Sequence, residues 1–207
     1  MQIPADTHFI YVHGFNSSPK SYKARQTLHY FEQLGVADQL SVPELSHFPA
    51  EAIGQLRNLV ERADRALLIG SSLGGFYSSW ITEHYDNARA VLVNPAVAPH
   101  RLLSPLLGET ENYHTGQRYD LTETHMRQLE ALYLSQLNHP ERLLLLQQEG
   151  DETLDYRDAV GYYSASDQIV QPGGSHAFDG FETMLPWIIE FATGTLDPEI
   201  LTHVPRV

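Results

Sequence analysis

The chain has 207 residues, 42% of them apolar and 19% charged, the balance of a globular protein with a sizeable core rather than a disordered one. Its net charge of −13, carried by scattered acids, repels phosphate backbones and argues against nucleic-acid partners. There is no cysteine, which excludes disulfides, thiolate zinc sites and cysteine nucleophiles.

The N-terminus, MQIPADTHF, has neither the basic start nor the apolar core of an export signal. Apolar runs such as Leu143–Leu146 fall far short of the roughly 20 residues that a membrane helix needs. With the lack of cysteine, this points to a cytoplasmic location and no membrane span.

Strand-like and helix-like stretches alternate along the chain, the pattern of a mostly parallel sheet with helices on both faces. His8–Val12 reads as the first strand, followed by an amphipathic helix from about Ser18 to Leu34 and a weak strand at Leu40–Val42. Ala50–Arg62 has helical periodicity, Ala66–Ile69 is strand-like, Leu73–His84 is helical and Ala90–Val93 is a further strand. From about residue 99 to 139 the rhythm breaks. A segment this long between elements predicts a lid-like or pocket-forming insert within one domain spanning 1–207. The strand pattern resumes at Leu143–Gln147 and Gln168–Val170, with helices expected at Tyr156–Ser164 and Leu185–Thr193. Pro186 fits the first turn of that last helix.

Gly70-Ser71-Ser72-Leu73-Gly74 matches G-x-S-x-G between a predicted strand and a predicted helix. In a nucleophile elbow the chain swings so sharply that small residues must flank the central serine, whose hydroxyl projects at the helix N-terminus. A phosphate-binding loop is disfavoured, because no Gly-Lys-Ser/Thr follows and the glycines are out of dinucleotide register. Serine needs a base, and the base needs an orienting acid. His176 lies in the glycine-rich loop after the last strand, and Asp151 follows the strand before it. Ser72, Asp151, His176 is the chain order of α/β hydrolases. Glu152 is expected to point away from its neighbour, and Asp155 to cap a helix.

An oxyanion hole needs two backbone donors. The candidates are Leu73, which follows the nucleophile, and Phe15, in the loop YVHGFNSSP after the first strand. His13 is expected to brace that loop. No spacing matches H-E-x-x-H, so no metal and no cofactor are expected. Leu102, Leu103, Leu106, Leu107 and Tyr113 in the insert are candidates for an acyl pocket, with plain helix packing as the alternative for the leucines. Asn94 is a candidate substrate-binding residue, with turn formation as its alternative.

HGFNSSP (13–19), GSSLGGF (70–76), VNPAV (93–97), YHTGQRY (113–119), LLLLQQEGDETLDYR (143–157) and GGSHAFDGFE (173–182) together resemble the YqiA-like esterases. The similarity runs from about His8 to Phe191, and the tail Gly194–Val207 departs from it, reading as a packing or dimer arm. The resemblance implies a three-layer α/β-hydrolase fold and a serine hydrolase of carboxylic esters or thioesters, with Ser72, Asp151 and His176 as its triad. Its partner would be a small-molecule acyl substrate, and the protein a monomer or homodimer. The alternatives are a different hydrolase on the same triad, such as a peptidase or lactonase, and a non-catalytic binding module on this fold.

Overall fold

The computed structural model describes residues 3–202. In chain order its main elements are β1 (Thr7–Val12), α1 (Tyr22–Leu34), β2 (Leu40–Ser41), α2 (Pro49–Val60), β3 (Arg65–Ser71), α3 (Leu73–His84) and β4 (Ala88–Val93). The 99–139 segment then forms α4 (Pro99–Leu103), β5 (Gly108–Glu111), β6 (Arg118–Leu121) and α5 (Glu123–Ala131). Finally come β7 (Leu143–Gln148), α6 (Tyr156–Tyr162), β8 (Asp167–Gln171) and α7 (Leu185–Thr193).

Six strands form one sheet in the order β2-β1-β3-β4-β7-β8, and every pairing in it is parallel. Strand residues alternate between two cores. Phe9, Tyr11, Leu67, Ile69, Val91, Val93, Leu144 and Leu146 face α1 and α7. Ile10, Val12, Leu68, Leu92 and Leu145 face α2, α3, α5 and α6. Burial on both faces explains why β3, β4 and β7 read as continuous apolar runs. Each fully buried Leu or Ile contributes about 1.5–3 kcal/mol.

Two departures from expectation have local causes. First, α1 starts at Tyr22 and not at Ser18. Pro19 disfavours helix at the residue before it, and Ser18 instead builds a turn, its carbonyl accepting the Ser21 N–H at 3.0 Å. Second, the insert contains an antiparallel β5–β6 hairpin that periodicity did not reveal. Its strands are polar and largely exposed, and its turn is organised by one side chain, with Asn112 Oδ1 accepting the N–H groups of His114 (2.9 Å) and Thr115 (3.1 Å). The tail, in keeping with a packing arm, lies against its own sheet. Thr202 N–H donates to Gln168 O at 2.7 Å and Thr202 Oγ1 accepts the Val170 N–H at 2.8 Å, covering part of the open edge of β8. The rest of the predicted arm, 203–207, lies outside the described residues. Among the described residues, no helix is long and apolar enough to cross a membrane.

Candidate active site

The sheet's C-terminal edge gathers the strain in the molecule. Among the described residues, the non-glycine positions with positive φ are Asn16, Ser72, Asn94 and Phe178, on the connections that follow β1, β3, β4 and β8. Such conformations persist only where the surroundings hold them, and they concentrate at functional sites.

Ser72 is the residue between β3 and α3, at φ 54° and ψ −119°. Its carbonyl accepts the N–H groups of Gly75 (2.9 Å) and Ala96 (3.1 Å), and its own N–H donates to Val93 O at 3.0 Å. The glycines make the bend sterically possible. A Cβ on Gly75 would meet Pro95 Cβ at 2.6 Å, and one on Gly74 would run into the carbonyls of Val12 and His13. Gly74→Ala is therefore expected to cost about 1–3 kcal/mol of stability through overpacking, read as a lowered denaturation midpoint. An unchanged midpoint would show that β1 can retreat without cost.

Ser72, His176 and Asp151 come together in one chain of contacts. His176 Nε2 lies 3.2 Å from Ser72 Oγ, and His176 Nδ1 lies 2.8 Å from Asp151 Oδ2. With its proton on Nδ1, the imidazole donates to Asp151 and leaves Nε2 free to accept from the serine hydroxyl. The Asp151 side chain is fully shielded, and that of His176 is 24% exposed. Asp151 Oδ1 accepts the N–H groups of Thr153 (2.9 Å) and Leu154 (2.8 Å), which turns Oδ2 toward the histidine. The two loops touch backbone to backbone, with Gly150 N–H donating to Gly173 O at 2.7 Å. A Cβ on Gly150 would sit 2.8 Å from Gly173 O, so glycine is required at this approach.

Ser71 is buried against the phenol of Tyr11. Gly14 packs on Ser72, where an added Cβ would be 3.1 Å from Ser72 Cβ. That contact brings the loop carrying Phe15 beside the N-terminus of α3. Among the described residues no acceptor takes the N–H of Phe15 or of Leu73. His13 braces this loop: its Nδ1 lies 3.0 Å from Gly14 O, and its Nε2 accepts the Leu45 N–H at 3.1 Å. Burial pushes its pKa down, which keeps the ring neutral.

Two substrate-pocket expectations need correction. Asn94 is buried and does not face the cleft. Its Oδ1 accepts the Gln148 N–H at 2.9 Å and its Nδ2 donates to Ser175 O at 2.9 Å, so turn formation and support of the histidine loop use up the amide. Leu103 packs against the core cluster that α3 and α5 share, and it does not border the Ser72 cleft. Leu102, Leu106 and Leu107 are exposed. Tyr113, at the hairpin tip and 87% exposed, does reach the mouth of the cleft. That cleft has a volume of about 380 Å³ and is bordered by Ser72, His176, Tyr22, Lys23, Tyr113 and Glu152.

Several contacts to the histidine loop escaped the sequence reading. Glu152 turns toward the loop and accepts the His176 N–H at 2.9 Å, a hydrogen bond that holds its carboxyl below the ordinary range. Lys23 donates to Ala177 O at 2.9 Å, and burial pushes its ammonium down to about 8. Gln148 Oε1 accepts the N–H groups of Ser175 (3.1 Å) and Asp179 (2.8 Å). Asp155 caps α6 as expected, accepting the Arg157 N–H at 3.0 Å. Among the described residues no group of three His, Asp or Glu side chains could hold a metal ion.

Known structures share this architecture. Mouse alpha/beta hydrolase domain-containing protein 10 superposes with a TM-score of 0.70 at 16% identity, over 95% of this chain and 93% of its own. Est1E from Butyrivibrio proteoclasticus, solved with ferulic acid bound, gives 0.67 at 13% identity over 94% and 93%. The esterase domain of a Rhodothermus marinus protein gives 0.60 at 18% identity over 92% and 91%. The fold is that of the α/β hydrolases. The family model described as Uncharacterised protein family (UPF0227) matches residues 8–193. The chain belongs to that family, the YqiA family.

Proposed function

We propose that the protein is a serine hydrolase that transfers the acyl group of a carboxylic ester or thioester first to Ser72 and then to water. The observation that carries this reading is the contact chain of 3.2 Å and 2.8 Å joining a conformationally strained Ser72 to His176 and Asp151. The α/β-hydrolase fold supports it, as do neighbours whose names describe esterases.

In the reaction, Ser72 Oγ attacks the acyl carbonyl while its proton passes to His176 Nε2. Asp151 holds the imidazole and stabilises the imidazolium that forms. Negative charge on the former carbonyl oxygen falls to the N–H groups of Phe15 and Leu73, which have no acceptor among the described residues. The tetrahedral adduct collapses, the C–O or C–S bond breaks, and His176 returns the proton to the leaving group. Water, deprotonated by the same histidine, then releases the carboxylic acid. A small-molecule substrate suits a cleft of about 380 Å³.

The test is a panel of acyl chains of increasing length on ester and thioester leaving groups. Saturable turnover of activated short-chain members is expected. A panel in which no ester or thioester turns over would overturn the reading.

A further inference from the structure

The length of the 99–139 insert predicts a lid-like or pocket-forming segment, and its hairpin grips the loop that carries Phe15. Thr110 and Tyr119 are directly paired across β5 and β6 and so project on the same face. Between them they hold the Asn16 amide: Tyr119 OH donates to Asn16 Oδ1 at 2.6 Å, and Asn16 Nδ2 donates to Thr110 Oγ1 at 3.0 Å. At the hairpin tip Asn112 Nδ2 donates to Ser17 O at 2.8 Å. Asn16 itself is buried and sits at φ 48°, a left-handed conformation that asparagine tolerates better than most residues.

We infer that the β5–β6 hairpin is an oxyanion-loop brace, with Tyr119 and Asn16 as positioning residues that fix the direction of the Phe15 N–H. The inference rests on the hydrolase reading and adds a role for the insert. A loop residue held off its preferred backbone conformation needs an external clamp, and the hairpin supplies one from both sides of a single amide. The clamp is itself anchored. The Tyr119 ring stacks on His47 with centroids 4.1 Å apart, and His47 Nδ1 lies 2.9 Å from His125 Nε2 on α5. Burial raises the Tyr119 phenol to about 12, so it remains a proton donor at neutral pH. A small cavity of about 40 Å³ separates Tyr119 from Phe15 and Leu73, giving the loop room to shift when the hydroxyl is removed.

The test is Tyr119→Phe, which keeps the ring on His47 and deletes only the hydroxyl. On the best ester of the panel, kcat is expected to fall about 10- to 100-fold with KM little changed, the scale set by small misplacements of a catalytic group. Affinity for a boronic acid, which mimics the tetrahedral adduct, should fall by a similar factor, while the pH profile keeps its shape. Asn16→Gly should match this loss, and the double variant should be no worse, because both remove one clamp. Tyr119→Phe with wild-type kcat and wild-type boronate affinity would overturn the brace. A wild-type protein inert toward every ester and toward the boronate would overturn the hydrolase reading, and the brace with it. Should Asn16→Gly fail to fold, Tyr119→Phe alone decides.

Discussion

Ser72→Ala is expected to lower kcat for activated short-chain esters by about 10⁶-fold, the scale seen when a triad nucleophile is deleted. The substitution removes the attacking atom and almost nothing else. Among the described residues, the one side-chain partner of Ser72 Oγ is His176, at 3.2 Å. The backbone bonds that hold the elbow run through the Ser72 carbonyl and N–H and survive the change. Melting temperature should therefore stay close to wild type. Ser71→Ala is the internal control. Its hydroxyl is buried against the Tyr11 phenol, and the imidazole's Nε2 contact is with Ser72 Oγ, so turnover should remain within a few-fold of wild type. Parallel kcat measurements on the two folded variants check the assignment, and equal losses would contradict it.

Asp151→Asn is expected to cut kcat by about 10³–10⁴-fold with little change in stability, by comparison with other triads. The reason lies in the carboxylate's second oxygen. Oδ1 already accepts two backbone N–H groups, from Thr153 and Leu154. An asparagine oxygen would keep those bonds and leave its NH₂ facing His176 Nδ1. That donor forces the imidazole proton onto Nε2, and Ser72 loses its base. Asp155→Asn should lower kcat only a few-fold. Its carboxylate caps α6 and pairs with Arg157 Nη2 at 2.6 Å, and an asparagine still caps a helix. Steady-state kinetics on both variants decide the matter, and the reverse ranking would move the acid to Asp155.

What could be read from the chain was what depends on local pattern. β3, β4 and β7 are recognisable because they are apolar on both faces, and α3 begins at Leu73, directly after the elbow serine. That Ser72, Asp151 and His176 would lie together was legible because each follows a strand in a parallel sheet, whose C-terminal ends converge on one edge. The hairpin was not legible. Its strands carry no apolar alternation, and the bonds that place it join residues about a hundred positions apart, such as Asn16 and Tyr119. The supports of the histidine loop were hidden for the same reason, since Lys23 and Ala177 meet only after the sheet has formed. Alternation along an extended loop would point Glu152 away from Asp151, but the chain bends there, with Asp151 N–H donating to Gln148 O at 3.3 Å, and Glu152 reaches the His176 N–H. Leu103 shows the limit of reading apolar residues near a site as pocket walls, because a leucine beside a core is drawn into it.

The central claim, that Ser72 is an activated nucleophile, is tested most directly by reaction with a fluorophosphonate, followed by peptide mapping with fragmentation fine enough to separate Ser71 from Ser72. One adduct per chain, on Ser72, is predicted, with labelling slowed strongly in His176→Ala. No adduct on the folded protein, or an adduct on Ser71 in place of Ser72, would contradict it.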